Sequence, residues 1–150
     1  MKFLNQSIKA LMIMFFLGSV SAHAADNIYT GYFSNKAVSG YDVIAYFEES
    51  KPVKGSAKYQ LEYKGADWYF SSQANLDKFT ANPEKYEPQY GGYCAWAMAD
   101  NKTAPGKPPF WSVYNDKLYL NYDQGVQDTW VADKDAFIKK ADAHWAKRDR

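Results

Sequence analysis

The chain predicts an α+β fold, a small antiparallel sheet of β-hairpins packed with short helices around an aromatic-rich core. Three observations carry that expectation. Two stretches, 58–70 and 110–122, each pair β-rich runs around a tight-turn dipeptide, Lys64-Gly65 and Asn115-Asp116. Each is followed by segments with helical spacing and capping residues. The third is composition: 13 Tyr, 5 Trp and 9 Phe in 150 residues. Tyr and Trp bring large apolar area with a polar tip, which suits a stiff core or an aromatic-lined pocket.

Taken in order, residues 1–24 read as a secretory signal peptide. Lys2 and Lys9 form its positive end, Ala10 to Val20 its short apolar run, and Ala22-His23-Ala24 a small-x-small cleavage pattern. Cleavage is expected after Ala24, with Val20-Ser21-Ala22 a second possible site. The apolar run is too short to span a bilayer, and no cysteine lies nearby to take a lipid. The expected location is therefore the periplasm or the exterior, with no membrane anchor. Removing the leader takes two of the 18 basic residues and none of the 17 acidic ones, so the mature charge is about −1. That balance gives nucleic acid no electrostatic footing.

Residues 25–36 read as a flexible lead-in, and 37–147 as a single domain. In "AVSGYDVIAYF" Asp42 is placed to cap a short helix bearing Ile44, Ala45 and Phe47. In "SSQANLDKF" Ser71 or Ser72 is the cap, and Leu76 and Phe79 share a face. Asn82-Pro83 starts another short helical turn. The last helix carries Phe137, Ile138, Ala141 and Trp145 behind Asp133. Hairpin-helix-helix over 58–86 thus resembles hairpin-helix-helix over 111–145, a repeat of roughly 50 residues in which Phe79 and Trp130 correspond.

The chemistry concentrates in "YGGYC", residues 90–94. Cys94 is the single cysteine, so no internal disulfide forms. Structural zinc fits poorly, because cleavage removes His23 and leaves only His144, itself expected on a helix surface or at a cap. Gly91-Gly92 predicts a tight turn into a helix beginning near Tyr93. Cys94 would then lie in its first turn, where backbone N–H groups and the macrodipole lower a thiol pKa. Tyr90, Gly91, Gly92, Tyr93 and Trp96 are the candidate binding residues around it. Met98, four residues on, shares its helix face and makes thiolate plus thioether a partial copper-type site. The same spacing equally describes core filling, with Cys94 a small buried hydrophobe.

The order "SGYDVIAYF", "YKGADWYFSSQANLDKFTANPEKYEPQYGGYCAWA", "KLYLNY" and "ADAHW" resembles the secreted YHS-domain proteins over about residues 37–145. It is most similar to a branch in which some members carry selenocysteine at the position of Cys94. The resemblance implies a chemical role for that residue. Other YHS domains resemble metal-binding modules with cysteines after the strand that ends at Phe70. Here those positions read Ser71, Ser72 and Asn75. The leading expectation is redox chemistry or soft-metal binding at Cys94. A single thiol then needs an external partner, either a small thiol or a second protein. The alternative is a non-catalytic module that binds a small molecule or partner in an aromatic pocket walled by Tyr41, Trp68, Trp96 and Trp111, with Cys94 as packing.

Overall fold

Hairpins and caps set the architecture. The structure, a computed structural model, describes residues 28–148; the expected signal peptide, its cleavage sites and His23 lie outside the described residues. A left-handed turn at Ala37–Gly40 leads into helix α1 (Val43–Glu48), the strands β1 (Ser56–Tyr63) and β2 (Ala66–Phe70), and helices α2 (Gln73–Ala81) and α3 (Pro83–Tyr86). A second left-handed turn, Gln89–Gly92, leads into α4 (Ala95–Ala99), β3 (Lys107–Tyr114), β4 (Lys117–Asn121), α5 (Gln124–Ala132) and α6 (Lys134–Arg148). The α+β class holds. The strands form two separate two-stranded antiparallel sheets, one per hairpin.

Local sequence explains each element. Lys64-Gly65 and Asn115-Asp116 all have positive φ, the backbone that lets a two-residue turn follow the natural twist of paired strands. The Asp42 carboxylate accepts the Ile44 N–H at 2.9 Å and caps α1. Of the two candidate serines, Ser72 caps α2, accepting the Asn75 N–H at 3.1 Å. Asp123 does the same for α5 through the Val126 N–H. Pro83 opens α3 at its first position.

The two halves match residue for residue, further than the sequence alone suggested. Each hairpin has a register shift at the same place, between Ser56 and Gln60 and between Lys107 and Trp111. The Asp42 N–H donates to the Val53 carbonyl at 2.8 Å, and the Cys94 N–H to the Ala104 carbonyl at 2.9 Å. Tyr41 bridges Lys54, and Tyr93 bridges Pro105. Phe79 and Trp130, both fully buried, hold the same position on α2 and α5. The repeat therefore starts at the left-handed turns and pairs Val38 with Tyr90, Asp42 with Cys94 and Phe70 with Asn121.

Two apolar clusters form the interior. The first gathers Val43, Ile44, Tyr46, Trp68, Phe70 and Phe79 with Leu118 and Leu120 of β4. The second gathers Tyr90, Ala95, Met98, Tyr119, Trp130 and Ala141. Side chains alternate along a strand, so β4 sends its two leucines into one cluster and Tyr119 into the other. The Tyr46 hydroxyl also crosses between halves, donating to the Pro108 carbonyl at 3.0 Å. The lead-in makes contacts at both ends: the Tyr29 N–H donates to the Gly91 carbonyl at 2.9 Å, and Lys36 bridges Asp67. Between them Tyr32 and Phe33 stand exposed.

Candidate functional site

Cys94 lies between the second left-handed turn and α4. Tyr90 and Gly91 have φ near +60° and Gly92 +86°. This run turns the chain sharply and leaves Tyr93 extended. The helix consequently begins at Ala95, and Cys94 is its N-cap instead of a first-turn residue. The sulfur is fully buried. Burial pushes the thiol pKa up, and the nearby Asp123 carboxylate adds to the rise. The backbone N–H groups of Ala97, Tyr122 and Trp96 pull the other way and are outweighed. The lowering expected from a helix start is thus reversed, since α4 has only five residues and water is excluded from the sulfur.

The first half shows what this position holds when it carries a charge-bearing group. There Asp42, also fully buried, takes the place of Cys94. One carboxylate oxygen accepts the Ile44 N–H. The other accepts the Ser71 N–H at 2.8 Å, the Ser71 hydroxyl at 2.7 Å and the Asn75 side-chain amide at 2.8 Å. Every contact donates to it, the set an acceptor-only carboxylate requires. The repeat carries Ile44 onto Trp96 and Ser71 onto Tyr122, two of the residues whose amides address Sγ. The thiol therefore sits in the backbone part of that cradle, with Tyr122 and Val126 in the places of the side-chain donors Ser71 and Asn75.

Asn121 completes the surroundings of the thiol. It is fully buried, its Oδ1 lies 3.5 Å from Sγ and accepts the Trp96 N–H at 3.1 Å. Sequence reasoning missed Asn121 and Asp42 as members of this arrangement. The available signal was the repeat, once its register is extended back to Gly40 and Gly92.

The other sequence-predicted residues divide among different surroundings. Trp96 is 36% exposed and Tyr122 41%, so these two of the three residues that present amides to the sulfur have partly exposed rings. Lys107 covers the Tyr122 ring at 3.9 Å. The Tyr93 ring meets that of Tyr29 in a tilted contact, centroids 5.3 Å apart and planes at 47°. Met98 is fully buried in the second cluster, where it fills core. Tyr90 and Gly91 line a different feature, a cleft of about 380 Å³ that also involves Lys64, Lys117, Asp142 and Trp145. The Tyr90 hydroxyl donates to Asp142 at 2.8 Å, and burial with that bond raises its pKa strongly. Tyr90→Phe is expected to lower stability by about 1 kcal/mol in urea unfolding; no change would show that the bond is replaced by water at no cost. Of the proposed aromatic wall, Trp68 is buried in the first cluster and Tyr41 and Trp111 pack against it, so these residues do not gather with Trp96 into one pocket. His144 is half-buried on α6.

A family model of the YHS domain matches residues 44–90. No curated protein and no solved structure matches the chain. The YHS match spans most of the first half, from α1 to the second turn, and stops before Cys94. YHS domains are associated with possible metal binding, so the donor set bears examination. Ser71 and Asn75 are both committed to the Asp42 carboxylate, and Ser72 caps α2. Among the described residues no group of three or more His, Cys, Asp or Glu is placed to hold a metal ion. The residues present do not fit a metal at the YHS segment, and Cys94 with Met98 offers only two soft donors. No helix among the described residues is long and apolar enough to cross a membrane.

Proposed function

We propose that this chain is an exported YHS-type protein, periplasmic or secreted, that performs thiol redox chemistry with Cys94 from a covered position. The observation supporting this reading is the placement of Sγ where the first half holds the Asp42 carboxylate, with the amides of Trp96, Ala97 and Tyr122 directed at it. A cradle of that kind stabilises negative charge on sulfur once water or a partner reaches it. At rest the group is a protonated thiol. When its proton leaves to solvent, the thiolate attacks one sulfur of an external disulfide. A mixed disulfide forms and the other half departs as a thiolate. The chain has one cysteine, so resolution needs a second thiol from the partner, which attacks the mixed disulfide and restores Cys94.

The test is alkylation of the folded protein by iodoacetamide as a function of pH, alongside reaction with glutathione disulfide. The expected profile rises only above the ordinary thiol value of about 8.5, because burial opposes ionisation. A mass increase of one glutathionyl group, reversed by added thiol, is expected. Absence of both reactions without denaturant overturns the proposal. Cys94→Asp, which places a carboxylate there without counterparts of the Ser71 hydroxyl and the Asn75 amide, is expected to fold with a loss of about 3 kcal/mol in urea unfolding. A complete loss of folding would show that this cradle rejects charge.

The complete burial of Cys94 favours a second reading, a non-catalytic binding module whose ligand enters the cleft beside Tyr90 and Trp145, with Cys94 as packing. Cys94→Ser separates the two. It abolishes thiol exchange in the first reading and leaves ligand binding intact in the second.

A further inference from the structure

Among the described residues, two buried donors of the second half have no hydrogen-bond partner: Asn121 Nδ2, on the side chain that touches the thiol, and Trp130 Nε1. Both residues are fully buried. An orphaned buried donor is costly, and two on neighbouring elements of a small protein call for a reason. Packing does not supply one. In the first half the corresponding residues are Phe70 and Phe79, whose rings meet at 5.1 Å with no polar atom to satisfy. The second half has replaced that apolar pair with a carboxamide and an indole, and the carboxamide is the group in contact with Sγ.

The present orientation of Asn121 suits a protonated thiol. Its Oδ1 accepts from the thiol and from the Trp96 N–H. A thiolate facing that oxygen would be repelled, while the Trp96 amide would remain engaged by Oδ1. Half a turn about the last side-chain bond reverses both conditions. Nδ2 then donates to the sulfur, and the Trp96 N–H, no longer shared with Oδ1, keeps the sulfur as its acceptor. Oδ1 moves to the side where Nδ2 now has no acceptor. The other unpartnered buried donor of this half is the Trp130 indole, the counterpart of the Phe79 ring that meets Phe70 in the first half.

We infer that Asn121 is a positioning residue for Cys94, accepting from the thiol in one orientation and donating to the thiolate in the other, with the Trp130 N–H taking up the released oxygen. This inference rests on the thiol reading above. The proton lost from sulfur goes to solvent, and no other bond is made or broken. The charged group acting on Sγ from the adjoining element is Asp123, at the start of α5; it opposes ionisation in either orientation. Reversal of the carboxamide is thus the change within the core that offsets the burial of the thiolate.

The experiment compares wild type, Asn121→Leu and Asn121→Asp by the pH profile of Cys94 alkylation, with far-ultraviolet circular dichroism to show that each is folded. Asn121→Leu removes the donor and is expected to move the midpoint up by at least one pH unit, a tenfold slower reaction on the rising limb. Asn121→Asp, which cannot donate as a carboxylate, is expected to move it further. A wild-type profile that Asn121→Leu leaves in place, or a faster reaction with an unchanged midpoint, overturns the inference and leaves the thiol reading standing. Wild-type protein that stays unlabelled to pH 10 overturns both. Should the variants fail to fold, the side-chain amide resonances of Asn121 and the indole N–H of Trp130 in wild type decide the matter. Both are expected to shift together with the Cys94 titration and to stay fixed in Cys94→Ala. Resonances unmoved through that titration overturn the inference.

Discussion

Asp42→Ala is expected to destabilise the protein by roughly 3–4 kcal/mol, among the largest effects of any single side-chain truncation in the chain. The carboxylate is fully buried and collects four donors: the backbone amides of Ile44 and Ser71, the Ser71 hydroxyl and the Asn75 side-chain amide. Removing it strands all four and uncaps α1 in the same step. Asp42→Asn separates charge from shape. It keeps one acceptor oxygen but turns an NH₂ toward donors, so its loss is expected to approach that of alanine. Urea unfolding of the two variants provides the measurement. A loss below 1 kcal/mol in both would mean that water takes over the carboxylate's role, and that the cradle contributes little in either half.

Gly106→Ala is expected to cost about 3 kcal/mol or more, and to expose Cys94. A Cβ at residue 106 would collide with the carbonyl oxygen of Gly92 and approach the Leu120 Cβ at 2.7 Å. Neither obstacle is a flexible side-chain tip. The backbone of the second left-handed turn must move, two residues before the thiol. Gly92→Ala is the milder comparison. Its Cβ meets only the Pro88 ring, at 3.4 Å, and the main penalty is a left-handed φ of +86°, about 1–2 kcal/mol for an L-residue. Unfolding midpoints should therefore rank wild type, Gly92→Ala, Gly106→Ala. Iodoacetamide should label Cys94 of Gly106→Ala faster at pH 8 than wild type. Equal stability of the two variants would show that the collision relaxes without moving the turn.

The elements were legible in the sequence wherever a short-range rule governs them. Lys64-Gly65 and Asn115-Asp116 announce their hairpins, Asp42 and Ser72 their helices, and the spacing of Leu76 and Phe79 the inward face of α2. The start of α4 was misplaced by two residues. Gly91-Gly92 does mark the turn, but the run of positive φ begins at Tyr90 and forces Tyr93 into extended backbone. A tyrosine in left-handed conformation has no sequence signature. Val38, a β-branched residue with φ of +50° in the matching turn, has even less.

The site was legible only in part, for a different reason. Cys94 draws attention as the single cysteine, yet its surroundings include groups 27 and 28 residues away, the Asn121 side chain and the Tyr122 amide, brought up by β4. Such contacts follow from how the strand lies against α4, and no local pattern encodes them. Met98 shows the converse. Its helical spacing from Cys94 is as expected, and burial in the second cluster is a property that spacing alone does not reveal. Asn121 was overlooked because a polar residue at a strand end looks like an exposed one; only its equivalence to Phe70 marks it as buried.

The strand β4 has one more consequence. Leu118 and Leu120 complete the apolar interior beneath α1 and β2, although they come from the opposite half of the chain. The family match over residues 44–90 therefore stops short of two residues that share its apolar cluster. The two halves thus share one interior, and a change at Leu118 or Leu120 acts on both. At the matching place one half holds a buried carboxylate gripped by four donors and the other a buried thiol, so the same backbone turn serves two different chemical groups.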